Sequence, residues 1–235
     1  AFVRIEMRSA APMLPLALFH ERAFAGVNLL TLLLYAALGG ALFFVPFDLI
    51  QVQGYSATAA GAALLPVTAL LFVLSQRAER LMERIGAETL LTIGPAIAAI
   101  GFALFARPSL GGSYWTTYFP AALVLGLGMG LTVAPLTTSV MNAVPPQHVG
   151  VAAGVNNAVA RTAGVVGLAL MVVVAAWVFG RALGGRLATL GLPPAVVQAL
   201  TRQRSVFAGM PGSVGLDAAR ALQVRDAIAV SFVAS

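Results

Sequence analysis

Between Arg22 and Asp48 lie twenty-five consecutive residues without a formal charge, AFAGVNLLTLLLYAALGGALFFVPF, and comparable apolar runs recur as far as about Gly180. Roughly 20 mostly apolar residues in a helix cross a hydrocarbon core of about 30 Å, and a soluble domain has no use for several such helices in succession. The chain is therefore read as all-α, a polytopic membrane helix bundle. Composition agrees, since 60% of the 235 residues are hydrophobic and only 9% charged, against roughly 25% charged in ordinary soluble domains.

The formal net charge is +6 and all fourteen basic residues are Arg, mostly placed where apolar runs end. That placement suits a membrane surface and argues against nucleic acid as a partner. With no Cys and only two His, neither a thiolate nor a histidine metal cluster is expected, and no cofactor is read from the chain. The motifs HExxH and GxSxG and a phosphate-binding loop are lacking, and no paired carboxylates lie inside the apolar runs, so an enzyme is not expected.

Five complete spans and the start of a sixth are predicted. Residues 1–22 form a cytoplasmic lead-in, and the spans cover about 23–47, 57–76, 89–106, 118–144 and 149–179. Gly54-Tyr55-Ser56 opens the second span, with Ser56 as its N-cap, and Pro145-Pro146-Gln147 divides the fourth from the fifth. Residues 181–225, rich in Arg, Gly and Pro, are expected to be an extracytoplasmic loop containing short amphipathic helices at Pro193–Thr201 and Leu216–Val224. The sixth span begins at 226 and stops at 235, too short to cross a bilayer, and the chain starts at Ala1 without the order of a signal peptide. Both ends are expected to be internal to a longer protein.

Arg4, Arg8 and Arg22 precede the first span, and Arg77, Arg80 and Arg84 join the second to the third, which places that side in the cytoplasm. Arg107 and the six Arg of the long loop fall on the other side. Long loops translocate largely regardless of charge.

Polar residues inside the spans are the functional candidates. In the first, Asn28, Thr31, Tyr35 and Gly39 recur at three- and four-residue steps and share one face. Two readings stand: a cavity-lining stripe, or a helix seam in which small residues allow close approach. In the fifth span, Gly150, Gly154, Asn157, Arg161 and Gly164 share a face. A guanidinium near mid-bilayer costs at least about 2.5 to 3.5 kcal/mol on insertion scales, so Arg161 should meet a watery cavity or a partner; clamping helix carbonyls or snorkelling to the interface are its structural alternatives. In the fourth, GLGMGLTVAPLTTSVM, Gly126 and Gly130 form a small-xxx-small pair, Pro135 marks a bend, and Thr132, Thr137 and Thr138 are available to line it. Asp48, at the outer end of the first span, is either a protonatable site or a solvated interfacial residue.

The segment Gln76–Leu91, QRAERLMERIGAETLL, resembles the loop motif G-x-L-a-D-R-x-G-R-K of the major facilitator superfamily. Leu81, Arg84 and Gly86 match, Glu83 stands for the Asp, Glu79 occupies the first Gly position, and Ala87 and Glu88 replace the basic pair. HERAFAGVNLLTLLLYAALGG, QVQGYSATAAGAALLP, GLGMGLTVAPLTTSVM and GVAAGVNNAVARTAG follow in the order of the C-terminal half of fourteen-helix drug:proton antiporters, so the resemblance covers nearly the whole chain.

The resemblance implies one six-helix half of a two-bundle transporter of a bacterial inner membrane. It would export small amphipathic compounds or drugs in exchange for protons by alternating access, together with an N-terminal six-helix bundle of the same protein. Asn28, Thr31, Tyr35, Thr132, Thr137, Asn157 and Arg161 then become pathway candidates. Glu83, Arg84 and Gly86 become a cytoplasmic gate loop, and Gly126, Gly130, Pro135, Gly150 and Gly154 sites of bending or packing. The rival reading is a membrane scaffold or sensor bundle that moves nothing.

Overall fold

The computed structural model describes residues 16–107, 113–190 and 218–233, and among them every regular element is helical. The elements are α1 (Arg22–Gln51), α2 (Ala57–Ala62), α3 (Leu65–Ser75), α4 (Ala78–Ile85), α5 (Ala87–Phe105), α6 (Tyr114–Asn142), α7 (Val149–Thr189) and α8 (Ala218–Val233), with short 3-10 turns at Leu16–His20 and Pro146–His148. Five stretches are long and apolar enough to cross a membrane: α1, α2 with α3, α5, α6, and α7 with its preceding turn.

Local chemistry sets the joints between them. Ser56 caps α2 by accepting the Ala59 N–H at 3.2 Å, after a turn in which Gly54 has φ +73°, a conformation that strains any residue bearing a Cβ. The second span breaks at Ala63 and Leu64, where Pro66 in the first turn of α3 withholds the N–H that would continue the ladder. Gly86, at φ +84°, turns α4 into α5. In α6 the helix runs unbroken through Pro120 and Pro135.

α6 is the hub. In its most apolar window 56% of residues are buried, against 11–22% in the other four spans, whose outer faces are left uncovered by the described residues. Lipid tails are as apolar as leucine, so close contact rather than hydrophobic exclusion joins such helices. Small residues provide that contact. A Cβ on Gly126 would meet Val67 and one on Gly130 would meet Leu74, both on α3, while one on Gly128 would strike Ala98 of α5. On the other side α1 lies along α7, where a Cβ on Gly39 would strike the Gly164 carbonyl and one on Gly167 the backbone of Ala36.

α7 differs most from its expected span, continuing past Phe179 to Thr189. Its 41 residues make a rod of about 60 Å, twice the hydrocarbon thickness. The Gly- and Arg-rich composition reads locally as a loop, but Phe179, Leu183 and Leu187 fall at four-residue steps and are buried against Val224 and Ile228 of α8. Tertiary packing thereby extends the helix. α8 begins at Ala218, so both ends of the expected 181–225 loop are helical and part of the expected Leu216–Val224 helix belongs to α8. Pro193–Thr201 lies outside the described residues.

Candidate functional site

A pocket with several hydrogen-bonding groups forms where α1, α6 and α7 meet. It is an open cavity of about 470 Å³ lined by Tyr35 of α1, Thr137, Val140 and Met141 of α6, and Asn156, Asn157 and Arg161 of α7. Four of the expected pathway residues, Tyr35, Thr137, Asn157 and Arg161, are thus brought together.

Arg161 stands about 18 Å along α7 from Val149 at 1.5 Å per residue. Its Nε donates to Asn157 Oδ1 at 3.2 Å, a contact one turn back on the same helix. The side chain is exposed within the protein. Its hydrogen bond is therefore to a side-chain amide facing the cavity rather than to a helix carbonyl, which favours the cavity reading over the structural clamp. Thr137 donates to the Val133 carbonyl at 3.0 Å, leaving its oxygen able to accept.

Asn28 and Thr31 lie behind this surface. Thr31 is fully buried and Asn28 is 5% exposed, and both accept from Asn156, whose Nδ2 donates to Thr31 Oγ1 at 2.7 Å and to Asn28 Oδ1 at 3.2 Å. Asn28 Nδ2 returns to the Phe24 carbonyl at 2.9 Å and Thr31 to the Val27 carbonyl at 2.9 Å. The two N–H groups of the Asn156 amide are matched by these two acceptors in the seam. The polar stripe of α1 is therefore divided: Asn28, Thr31 and Gly39 knit the seam with α7, and Tyr35 faces the pocket.

Thr132 is not in the pocket. It is fully buried against Gly94 of α5 and donates to the Gly128 carbonyl at 2.7 Å. Five helical positions separate it from Thr137, about 140° around the axis, so one helix cannot present both to the same cavity. A Cβ on Gly126 or Gly130 would meet α3, and Pro135 is buried within α6. Gly150 and Gly154 differ, because a Cβ on either would meet nothing within 4 Å. Glu83 and Arg84 are exposed on α4, and Gly86 forms the turn after it.

Asn156 was missed by helical periodicity, lying one step off the face that carries Arg161. The doublet Asn156-Asn157 in an otherwise apolar helix was the available signal. A second polar tie joins α1 to α6 near the ends opposite the α4 turn, where the Tyr118 hydroxyl donates to Asp48 Oδ2. Tyr114 fixes the same corner by donating to the Ala63 carbonyl at 3.0 Å. Asp48 thus has a protein partner rather than water alone.

Among the described residues no group of His, Cys, Asp and Glu could hold a metal ion. The profile of the Major Facilitator Superfamily matches residues 5–168. The lincomycin resistance protein of Streptomyces lincolnensis is 32% identical over 209 residues, covering 85% of this chain and 43% of that protein. The cephamycin export protein CmcT of Amycolatopsis lactamdurans is 32% identical over 176 residues, 74% of this chain and 36% of its own length. The multidrug resistance protein Stp of Mycobacterium tuberculosis H37Rv is 30% identical over 183 residues, 75% and 33% respectively. The chain thus spans 33–43% of the length of these three curated relatives.

Proposed function

The chain belongs to the major facilitator superfamily, and from that premise we propose that it is the C-terminal bundle of a secondary transporter exporting small amphipathic compounds across a bacterial inner membrane. The observation that carries this reading is the open pocket on α1, α6 and α7, where Tyr35, Thr137, Asn156, Asn157 and Arg161 stand beside the apolar Val140 and Met141. Mostly apolar walls with a few hydrogen-bonding groups suit an amphipathic ligand. Relatives named for antibiotic resistance or export support the direction of transport.

In this reading a second six-helix bundle of the same protein closes the other side of the pocket, and the two rock about the bound compound. Protons drive the cycle. Coupling requires that one conformation be lowered in energy by either proton or cargo, so that net movement follows the proton gradient. None of the described residues lining the pocket is a carboxylate, so the coupling acid is assigned to the other bundle. The protein acts as a carrier and not as an enzyme. The test is proton movement in inside-out vesicles containing the full-length parent: adding an exported compound should release protons from an acidified lumen. No release for any member of a broad amphiphile panel overturns the proposal.

A further inference from the structure

The wall of the pocket carries one formal charge among its described residues, and that charge is positive. Arg161 commits only Nε to a partner within the described residues, the neutral Asn157 Oδ1 at 3.2 Å. Its two terminal amino groups have no partner among the described residues, and together they present the two parallel N–H donors that pair with a carboxylate, sulfonate or phosphate. Tyr35, Thr137 and the Asn157 amide add hydrogen-bonding groups around it, while Met141, Ala153 and Ala160 supply an apolar surface.

A lipophilic cation entering this wall meets a like charge, with no acidic side chain among the described lining residues to offset it. An acidic head group meets a fixed guanidinium. We infer that the pathway takes amphiphiles bearing an acidic group, the head held by Arg161 and the apolar body against Met141 and Ala160, in preference to lipophilic cations. This rests on the pocket being the transport pathway.

The experiment uses the full-length parent in phosphatidylcholine vesicles and three fluorescent amphiphiles that share a naphthyl body, carrying a sulfonate, a trimethylammonium or an uncharged amide. Export is counted as the part abolished by a protonophore. The sulfonate should move at least about tenfold faster than the trimethylammonium compound, and Arg161→Gln should erase that advantage, read as the ratio of the two rates in the same vesicles. An equal or faster rate for the trimethylammonium compound overturns the inference, as does a sulfonate advantage that survives in Arg161→Gln. The ratio in the unaltered parent decides the matter even where the variant folds poorly. Failure of all three compounds to move in the parent refutes the export reading itself.

Discussion

Asn156 on α7 donates to the Thr31 hydroxyl on α1 at 2.7 Å, across 125 positions of sequence. The pair closes the back of the pocket, and the same amide also holds Asn28. Hydrogen bonds between membrane helices contribute about 0.6 kcal/mol on average and up to about 1.7. Asn156→Ala should therefore lower the stability of the detergent-solubilised parent by about 1 to 2 kcal/mol, read as a drop in Tm. In a double-mutant cycle with Thr31→Val the losses should be less than additive. Strict additivity would mean that the two side chains do not interact.

Close approach of α1 and α7 depends on glycine. Because a Cβ on Gly39 runs into the Gly164 carbonyl, a group that cannot swing aside, Gly39→Ala should sharply reduce folded protein in the membrane. Gly154→Ala meets open space and should be neutral or stabilising by up to about 1 kcal/mol. Expression and size-exclusion profiles of the two variants check this contrast, and equal behaviour would contradict the seam.

The Asp48–Tyr118 hydrogen bond ties α1 to α6. Hydrogen bonds to a charged group contribute about 1.5 to 3 kcal/mol, and this one lies in a half-buried corner, so Tyr118→Phe should cost about 1 kcal/mol. Asp48→Asn retains an acceptor and should cost less. A larger loss for Asp48→Asn than for Tyr118→Phe would mean that the hydrogen bond from Gln53, the carboxylate's other partner, and not that from Tyr118, holds the corner.

Much of the bundle was legible because twenty-residue apolar runs leave little choice of fold, and Ser56, Gly54 and Gly86 mark joints through chemistry that acts within a few residues. The far end of α7 was not, since its helix is held by Val224 and Ile228, residues that local composition cannot connect to Leu183. The site was legible in part. Arg161, Asn157, Tyr35 and Thr137 were found by the cost of polarity in an apolar helix, but Thr132 and Thr137 look alike in sequence and differ only in the neighbour each faces. Asn156 was hidden for the same reason, because its partners are on another helix.

The extension of α7 gives its own prediction. Leu183 is 2% exposed and packs on Val224 and Ile228, and large-to-small changes at such sites cost about 2 to 5 kcal/mol. Leu183→Ala should speed amide hydrogen exchange throughout α8 while leaving α5 and α6 unchanged. Unaltered exchange in α8 would mean that the two helices do not support each other.

The pathway is tested most directly by thiol accessibility, because this chain contains no cysteine and single cysteines can be read separately in an otherwise cysteine-free parent. Thr137→Cys, in the pocket, should react with a membrane-impermeant maleimide in right-side-out or inside-out vesicles, and an exported compound should slow the reaction. Thr132→Cys, buried against α5, should stay unreacted from both sides. Labelling of Thr132→Cys with none at Thr137→Cys, or labelling of Thr137→Cys that no exported compound slows, would contradict a substrate pathway between α1, α6 and α7.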